Sequence, residues 1–494
     1  MEDYKYIKVP KQISLSEYEQ NGYCLAPSKY SRFLPIDTVN YLSLEQLCTE
    51  SKRKISFSIK TLYNYSEIGD IDVTNGSVDS TSFFGINLPS ENPKEIKQGD
   101  IVISTVRTYR GGIGYIYENL ANHCCTPAIL VIRSVNPIIT KEYLLTVLRT
   151  DFFIEQILGF LNRGMYPRLD KEAMKHILIP IPKKDEELKY VTILTKAYQN
   201  KIALLKKRHQ EILKQIEQEL LSNQKPHNFK FELPNIKEIE NIGRLDTNLY
   251  REHFKKIVFQ IENYTNGFQT IQELGFSLSR GQNLQVSNIG DSIYSKKKYN
   301  KFYTLMLPKF LSKYGTVDKI EYLGNPNSLK TLQKGDLIFG AEGFEKGRSI
   351  VIIEEQDRVI TNIHGITIQQ EEHNVNKAIF VKCCLDYLRS KGLIDLYAVG
   401  GNGGSLAQKY WDIIPFPKFD KTKQDEIALL YHNPNSNYQA DTFTLDNFLE
   451  QDNAFNETAG IYELDKTAKQ LKEILNKAID DIANDREVNI NFTL

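Results

Sequence analysis

The strongest constraint on this chain is that it repeats itself. Ile96-Lys-Gln-Gly-Asp-Ile-Val-Ile103 and Leu332-Gln-Lys-Gly-Asp-Leu-Ile-Phe339 share a polar run that tips through Gly-Asp into three apolar residues, with Gly99 and Gly335 standing 236 positions apart. Such a run predicts a tight turn feeding a buried strand. Ile177-Leu-Ile-Pro-Ile-Pro182 and Asp412-Ile-Ile-Pro-Phe-Pro417 form a second pair at an offset of 235. Proline in these runs predicts an edge or terminal strand, because a central strand needs the missing N–H. Between the two motifs, Gly400 to Leu406 stands where Asn162 to Leu169 stood, and Gly243-Arg-Leu-Asp-Thr-Asn-Leu-Tyr250 takes the place of Gly22 to Tyr30. Matched motifs in the same order at nearly the same spacing indicate an internal duplication.

Each copy closes in a long helical pattern. Leu188, Val191, Thr195, Tyr198, Ile202, Leu205, His209, Ile212, Ile216 and Leu220 step by three and four, and no Pro or Gly intervenes between Pro182 and Pro226. A helix of about 35 residues would be about 50 Å long, and its narrow apolar seam predicts a coiled coil. Ile461, Leu464, Ala468, Leu471, Leu475, Ala478 and Ile482 repeat the spacing at the other end and supply a candidate partner helix. A shorter apolar phase (Ile427, Leu430, Tyr431) precedes it, separated by a polar insert from Asn433 to Thr458, and the link between copies is the polar segment Asn223 to Asn241. Within the first copy, Ile55, Phe57 and Ile59, then Ile71 and Val73, alternate as strands do, Ile129 to Ile132 is a clearer strand, and Lys141 to Gln156 reads as one helix.

At 494 residues the chain exceeds what one core usually serves. Its formal net charge is zero, so any nucleic-acid surface must come from charge segregated locally. The six cysteines include no C-x-x-C, which fits reduced thiols. The N-terminus lacks a charged-then-apolar leader and no long apolar run occurs, so a cytoplasmic protein without a membrane span is expected.

The ordered set of motifs, two Gly-Asp strands, a basic or Gly-rich loop, the Ile-Pro strands, the closing helices and Arg244-Leu-Asp-Thr-Asn-Leu-Tyr250, resembles the specificity subunit of type I restriction-modification systems. The first copy departs from it, with Cys24-Leu-Ala-Pro where Arg-Leu-Asp would stand, and so does the polar insert. The resemblance implies an α+β fold, a tandem duplication of a β-rich target recognition domain followed by a long helix, with the two helices packing as an antiparallel coiled coil. Residues 1–185 and 226–420 would be the two recognition domains, 186–225 the first spacer helix, and 421–494 the second helical spacer region with its polar insert. It further implies double-stranded DNA with a bipartite target and two adenine methyltransferase subunits as partners, with motor-nuclease subunits as an optional addition. The chain itself would be non-catalytic and carry no cofactor or metal, S-adenosylmethionine belonging to the methyltransferase.

Signals for chemistry in the chain itself are poor. Gly343-Phe-Glu-Lys-Gly347-Arg-Ser has the wrong glycine spacing for a P-loop, and no Pro-Pro dipeptide exists to make a methyltransferase tetrapeptide. Asp170 with Glu187-Leu-Lys189, and Asp79 with Glu95-Ile-Lys97, satisfy the spacing of a metal-dependent nuclease, as the acids and Lys of such a site require, but Glu-x-Lys is common in a Lys/Glu-rich chain. His123 lacks metal-ligand spacing and reads as a packed residue. Signals for DNA contact are better. Arg107, Tyr109, Arg110, Arg163, Tyr166 and Arg168 place guanidinium groups and aromatics on Gly-containing loops of the first copy, where Arg grips guanine or phosphate bidentately. The second copy offers Arg280, Gln282, Asn283, Lys296, Lys297, Lys298, Lys346, Arg348, Asn402 and Ser405; Gln and Asn suit adenine edges and the Lys run suits phosphates. Because the second copy lacks counterparts of Arg163 and Arg168, the two halves should read different sequences. Two other classes remain open at this point: a restriction enzyme using the cryptic carboxylates, and a protein-only adaptor whose basic loops aid solubility.

Overall fold

The computed structural model describes residues 4–493 apart from 26, 162–166, 170, 344–345, 357 and 401–403. The chain divides into two compact units. Unit 1 comprises residues 1–203, 437–457 and 466–494, and unit 2 comprises 204–436 and 458–465. The boundary falls inside the helix Asp185–Ser222, and both C-terminal helical segments are divided between the units.

Unit 1 contains β1 (Ile7–Lys8), β2 (Arg32–Phe33), β3 (Tyr41–Ser43), β4 (Cys48–Glu50), β5 (Leu62–Ser66), β6 (Thr81–Phe84), β7 (Lys94–Glu95), β8 (Ile101–Ser104), β9 (Ile113–Tyr115), β10 (His123–Cys125), β11 (Ile129–Val135) and β12 (Leu178–Pro180). Its larger sheets have the orders β4-β11-β8-β9 and β6-β5-β10-β7, and among the described residues β12 pairs only with β3. Unit 2 contains β13 (Phe268–Gln269), β14 (Phe276–Arg280), β15 (Ile293–Ser295), β16 (Tyr303–Leu305), β17 (Glu321–Gly324), β18 (Leu337–Gly340), β19 (Ser349–Val351), β20 (Val359–Ile360), β21 (Gly365–Gln370) and β22 (Phe416–Pro417). Here the orders are β14-β21-β18-β19 and β15-β17-β16-β20, with β22 pairing only with β13. The wholly antiparallel sheets correspond strand for strand, and among the described residues each unit holds one parallel strand pair, β5 with β10 and β16 with β20. Topology thus repeats where the sequence motifs repeat, and the fold is α+β in tandem.

The Gly-Asp motif does the same work twice. Gly99 and Gly335 sit at φ +86° and +87°, a left-handed backbone that a side chain resists. Each following Asp is buried and closes the turn: the Asp100 and Asp336 amides donate to Lys97 and Gln333 carbonyls at 3.0 Å, while their carboxylates accept the Lys97 and Gln333 amides at 2.8 Å. The strands launched, β8 and β18, are buried on both faces, which explains why they read as continuous apolar runs. The Pro-containing strands are confined to two-stranded pairings, as expected of a segment that cannot complete a ladder.

The Arg244 to Tyr250 phrase and its first-copy counterpart each form a corner of the same kind, one in each unit. Tyr250 donates its phenol to the Arg244 carbonyl at 2.6 Å, and Tyr30 donates to the Cys24 carbonyl at 2.5 Å, six residues back in both cases. The Arg244 guanidinium caps the helix Leu393–Tyr397 through the carbonyls of Leu396, Tyr397 and Ala398 at 3.2 to 3.4 Å. Cys24 cannot do this. Lys29 instead reaches the Gly159 carbonyl at 3.3 Å, just beyond the helix Asp151–Ile157, so a cation still meets a carbonyl-rich helix end.

Several local expectations differ. Lys141 to Gln156 is two helices, Lys141–Leu148 and Asp151–Ile157, because Thr150 turns extended between them. Ile55 to Ile59 forms no strand; Phe57 and Ile59 are more than half exposed, so their alternation was not a buried face. The helix Asp185–Ser222 runs 38 residues, but its first half lacks a narrow seam: from Tyr190 to Gln199 only Lys196 is exposed. There it is packed inside unit 1, where Thr192 and Thr195 hydrogen-bond Thr140 and Thr146 at 2.7 and 2.6 Å. From Leu205 onward burial recurs at Ile212, Ile216 and Leu220 as the seam predicts. All seven seam residues of the helix Ile461–Ala483 are buried. The polar insert contains the helix Phe448–Thr458, which buries Phe448, Asp452, Phe455 and Asn456. Among the described residues no helix is long and apolar enough to cross a membrane.

Candidate nucleic-acid interface

Each unit assembles a loop cluster from three chain segments at the end of its antiparallel sheet. In unit 1 the β8–β9 loop is held on one side where the Thr105 amide donates to the Ala128 carbonyl, and on the other where the Leu169 amide donates to the Thr105 carbonyl, at 2.9 and 2.8 Å. In unit 2 the Ala341 amide donates to the His364 carbonyl and the Leu406 amide to the Ala341 carbonyl, at 3.1 and 2.9 Å. Val106 then lies opposite Arg168, and Glu342 opposite Ser405. The frames are equivalent, so three positions correspond: Val106 with Glu342, Ala128 with His364, and Arg168 with Ser405.

In unit 1, Arg107 takes a left-handed backbone at φ +51° and its amide donates to the Pro167 carbonyl at 2.7 Å, which ties this arginine to the segment carrying Arg168. Arg168 and Arg110 are exposed, and the Arg110 guanidinium stands 6.0 Å from the half-buried Tyr109 ring. Arg107, Tyr109, Arg110 and Arg168 are therefore gathered in one cluster; Arg163 and Tyr166 lie outside the described residues. Sequence reasoning missed Lys52, Arg53 and Lys54, all exposed and just past β4. Their signal was their place after the strand equivalent to β14, which in unit 2 ends in Arg280.

In unit 2, Arg280 donates to Glu342 Oε1 at 3.0 Å, to the Ile363 carbonyl at 3.2 Å and to Ser405 Oγ at 3.2 Å. His364 Nδ1 lies 2.6 Å from the other Glu342 oxygen. Burial disfavours the Glu342 charge, but the His364 hydrogen bond and the charges of His364 and Arg280 outweigh it and hold the carboxyl below its usual range. Beside this network, Arg280, Gln282, Asn283, Lys330 and Gln369 line a polar groove of about 400 Å³ including its open mouth. Gly281 lets two segments touch, since a Cβ there would fall 2.1 Å from the Asn362 carbonyl oxygen. Lys330 reaches Ser279 Oγ at 2.7 Å.

Other expected contacts are placed elsewhere. Lys296, Lys297 and Lys298 are exposed, but follow β15 on the other sheet. The Lys346 side chain is 10% exposed and paired with Asp395 at 2.9 Å, and Arg348 donates to the Leu311 carbonyl at 2.9 Å, so both serve unit 2 internally. Asn402 lies outside the described residues. Glu187, the nuclease candidate, accepts the Lys183 and Lys184 amides at 3.2 and 3.3 Å at the start of the long helix, Glu95 is bound by Arg133 at 3.0 Å, and Asp170 lies outside the described residues. His123 is buried with Nε2 3.3 Å from Ser66 Oγ, and among the described residues no group of three or more His, Cys, Asp or Glu could hold a metal ion.

Comparison with known proteins finds partial likenesses to one family. Among curated proteins, the type I restriction enzyme HindI specificity subunit of Haemophilus influenzae is 27% identical over 113 residues, 22% of this chain and 24% of that protein, so the match spans about a quarter of the relative. The crystal structure of the HsdS subunit from Thermoanaerobacter tengcongensis aligns at a TM-score of 0.31 and 16% identity, covering 91% of this chain and 97% of that one. That of the type I restriction-modification system S subunit from M. genitalium aligns at a TM-score of 0.35 and 12% identity, covering 90% and 97%. Residues 37–214 match the type I restriction modification DNA specificity domain, so that stretch of the chain is similar to that domain.

Proposed function

We propose that this chain is the DNA-reading, non-catalytic subunit of a type I restriction-modification complex, with each unit reading one half of a bipartite target. The observation that carries the reading is the pair of loop clusters built on one backbone frame but furnished with different side chains: Val106, Ala128 and Arg168 in one, Glu342, His364 and Ser405 in the other. Basic and polar groups on such loops suit phosphate and base-edge contact, and a repeated frame with differing residues suits two different half-sites. In this reading the helices Asp185–Ser222 and Ile461–Ala483 pair antiparallel as a spacer, as dimer geometry fixes half-sites elsewhere. In unit 1, Thr195 and Tyr198 of the first helix and Lys472, Leu475 and Asn476 of the second line the same cavity, which supports that pairing. Double-stranded DNA, two methyltransferase subunits and, optionally, motor-nuclease subunits are the partners. The methyltransferase flips and methylates an adenine with its own S-adenosylmethionine.

The test is to co-express the chain with its methyltransferase and map modified adenines by single-molecule sequencing. A split motif of two different half-sites at constant gap is expected, and exchanging residues 1–185 should change one half alone. A stable complex that modifies no fixed motif would refute the reading.

A further inference from the structure

Glu342 is an unexpected residue for a DNA-facing loop. Its side chain is 33% exposed, in a cluster that otherwise offers Arg280, Gln282, Asn283 and Lys330. A carboxylate facing a phosphate backbone is repelled, so such a group is useful there only where an N–H donor comes to meet it. In the major groove that donor is a base amine, and a carboxylate suits the cytosine N4 amine.

What Glu342 stands beside narrows the choice. Arg280 lies 3.0 Å away with its side chain 36% exposed, and guanidinium groups take guanine through O6 and N7. Within one G·C pair the guanine acceptors and the cytosine amine are neighbours, so an acceptor and a double donor held side by side match that pair. The surroundings hold the two in place: Ser405 Oγ accepts from Arg280 at 3.2 Å and donates to Glu342 at 3.4 Å, the Ile363 carbonyl accepts from Arg280, and His364 bonds the far carboxylate oxygen at 2.6 Å. Unit 1 keeps the same frame but has Val106 and Ala128 at the positions of Glu342 and His364, and so lacks this arrangement.

We infer that Arg280 and Glu342 jointly read one G·C base pair in the half-site of unit 2, with His364 and Ser405 as positioning residues. The inference rests on the DNA-reading function proposed above. Physically, a Gln at 342 keeps the shape but replaces one acceptor oxygen with a donor, and lets the wrong base pair compete.

The experiment uses the full chain co-expressed with its methyltransferase, and modification is mapped for the natural chain and for E342Q, R280A and H364A, with thermal melts of each. The half-site that follows residues 226–420 should contain a fixed G·C pair. E342Q should relax preference at that pair by about tenfold to a hundredfold, the worth of a good base contact. R280A should lose the guanine preference, H364A should weaken it less, and the other half-site should stay unchanged. A unit 2 half-site without a fixed G·C pair, or an E342Q chain that melts like the natural one and keeps its base preference, would overturn the inference while leaving the two-reader function standing. A natural chain that directs modification to no fixed motif would overturn both.

Discussion

The polar insert should be held in unit 1 by a buried charge. Lys201 and Asp452 have side chains 0% and 1% exposed, with Nζ 2.8 Å from Oδ1 and 2.7 Å from Asn456 Oδ1, and the ammonium lies 5.0 and 4.7 Å from the Tyr438 and Phe455 rings. Burial lowers the Lys201 pKa, and Asp452 opposes that shift. Replacing Asp452 by Asn leaves an ammonium without its counter-charge in a dry site, which costs about 3–5 kcal/mol. For a unit of this size that corresponds to a fall in Tm of roughly 6–20 °C. Because a buried lysine with lowered pKa is destabilising while charged and neutral above that value, the deficit of D452N should shrink as pH rises from 7 toward the ordinary lysine range. Hydrogen exchange across residues 437–457, with calorimetry, reads the effect. Trp411, the chain's single tryptophan, is buried in unit 2 against Phe339 and serves as an internal control, since its fluorescence should not change. Replacing both partners, Lys201→Met with Asp452→Leu, should recover most of the loss. A D452N deficit under about 1 kcal/mol, or one that grows with pH, would refute the reasoning.

Other perturbations test other parts of the account. Asp336→Ala removes the acceptor of the Gln333 amide and the Gln369 amide group, and should destabilise unit 2 by about 1–3 kcal/mol, read by Trp411 fluorescence in urea. Arg244→Ala should cost about 0.5–2 kcal/mol through the exposed helix-end carbonyls, more than Lys29→Ala, which loses a single bond; equal midpoints would contradict the capping role. Arg110→Ala and Arg53→Ala should each reduce the slope of log affinity against log salt by about 0.9 without altering sequence preference. Glu342 titrates below its ordinary value of 4.5, so its ion pair with Arg280 should be fully present above that value and be lost as pH falls through the depressed one. Amide exchange at Ala341 should therefore quicken only in acid below that value, and an onset near neutrality would contradict the assignment.

How much of this was legible depends on where each residue's partner lies in the chain. The Gly-Asp turns and the Tyr250 corner are local, their bonds spanning three to six residues, and their sequence signals were sufficient; the Pro-bearing strands pair far along the chain, but the missing N–H marks them wherever their partner lies. Lys346 and Arg348 misled because their partners, Asp395 and Leu311, are distant in sequence, and a lysine in a Gly-rich run looks solvated until the fold is known. Lys201 flanks the heptad seam, where a lysine is ordinarily solvated, and its buried partner Asp452 comes from the insert, 251 residues on. Glu342 and His364 gave no signal because their first-copy counterparts are Val106 and Ala128; the 236-residue offset could have found them had it been carried past the motifs into the loops.

Under the proposed function, one fold holds two different readers. The bonds that shape each loop cluster join main chain to main chain: Thr105 to Ala128 and Leu169, Ala341 to His364 and Leu406. Such bonds are indifferent to side-chain identity, so residues at the facing positions can change at little cost to the frame. The frame itself is fixed by side chains buried behind the loops, Asp100 and Asp336 in the turns and the apolar cores of β8 and β18. Stability and the proposed reading thereby fall to different residues, which is the condition under which loops on a rigid scaffold can vary. The replacement of Arg244 by Cys24, with Lys29 reaching the corresponding helix end, shows the complementary case: where a side chain does hold the frame, its loss is accompanied by another cation doing the same work from a different position.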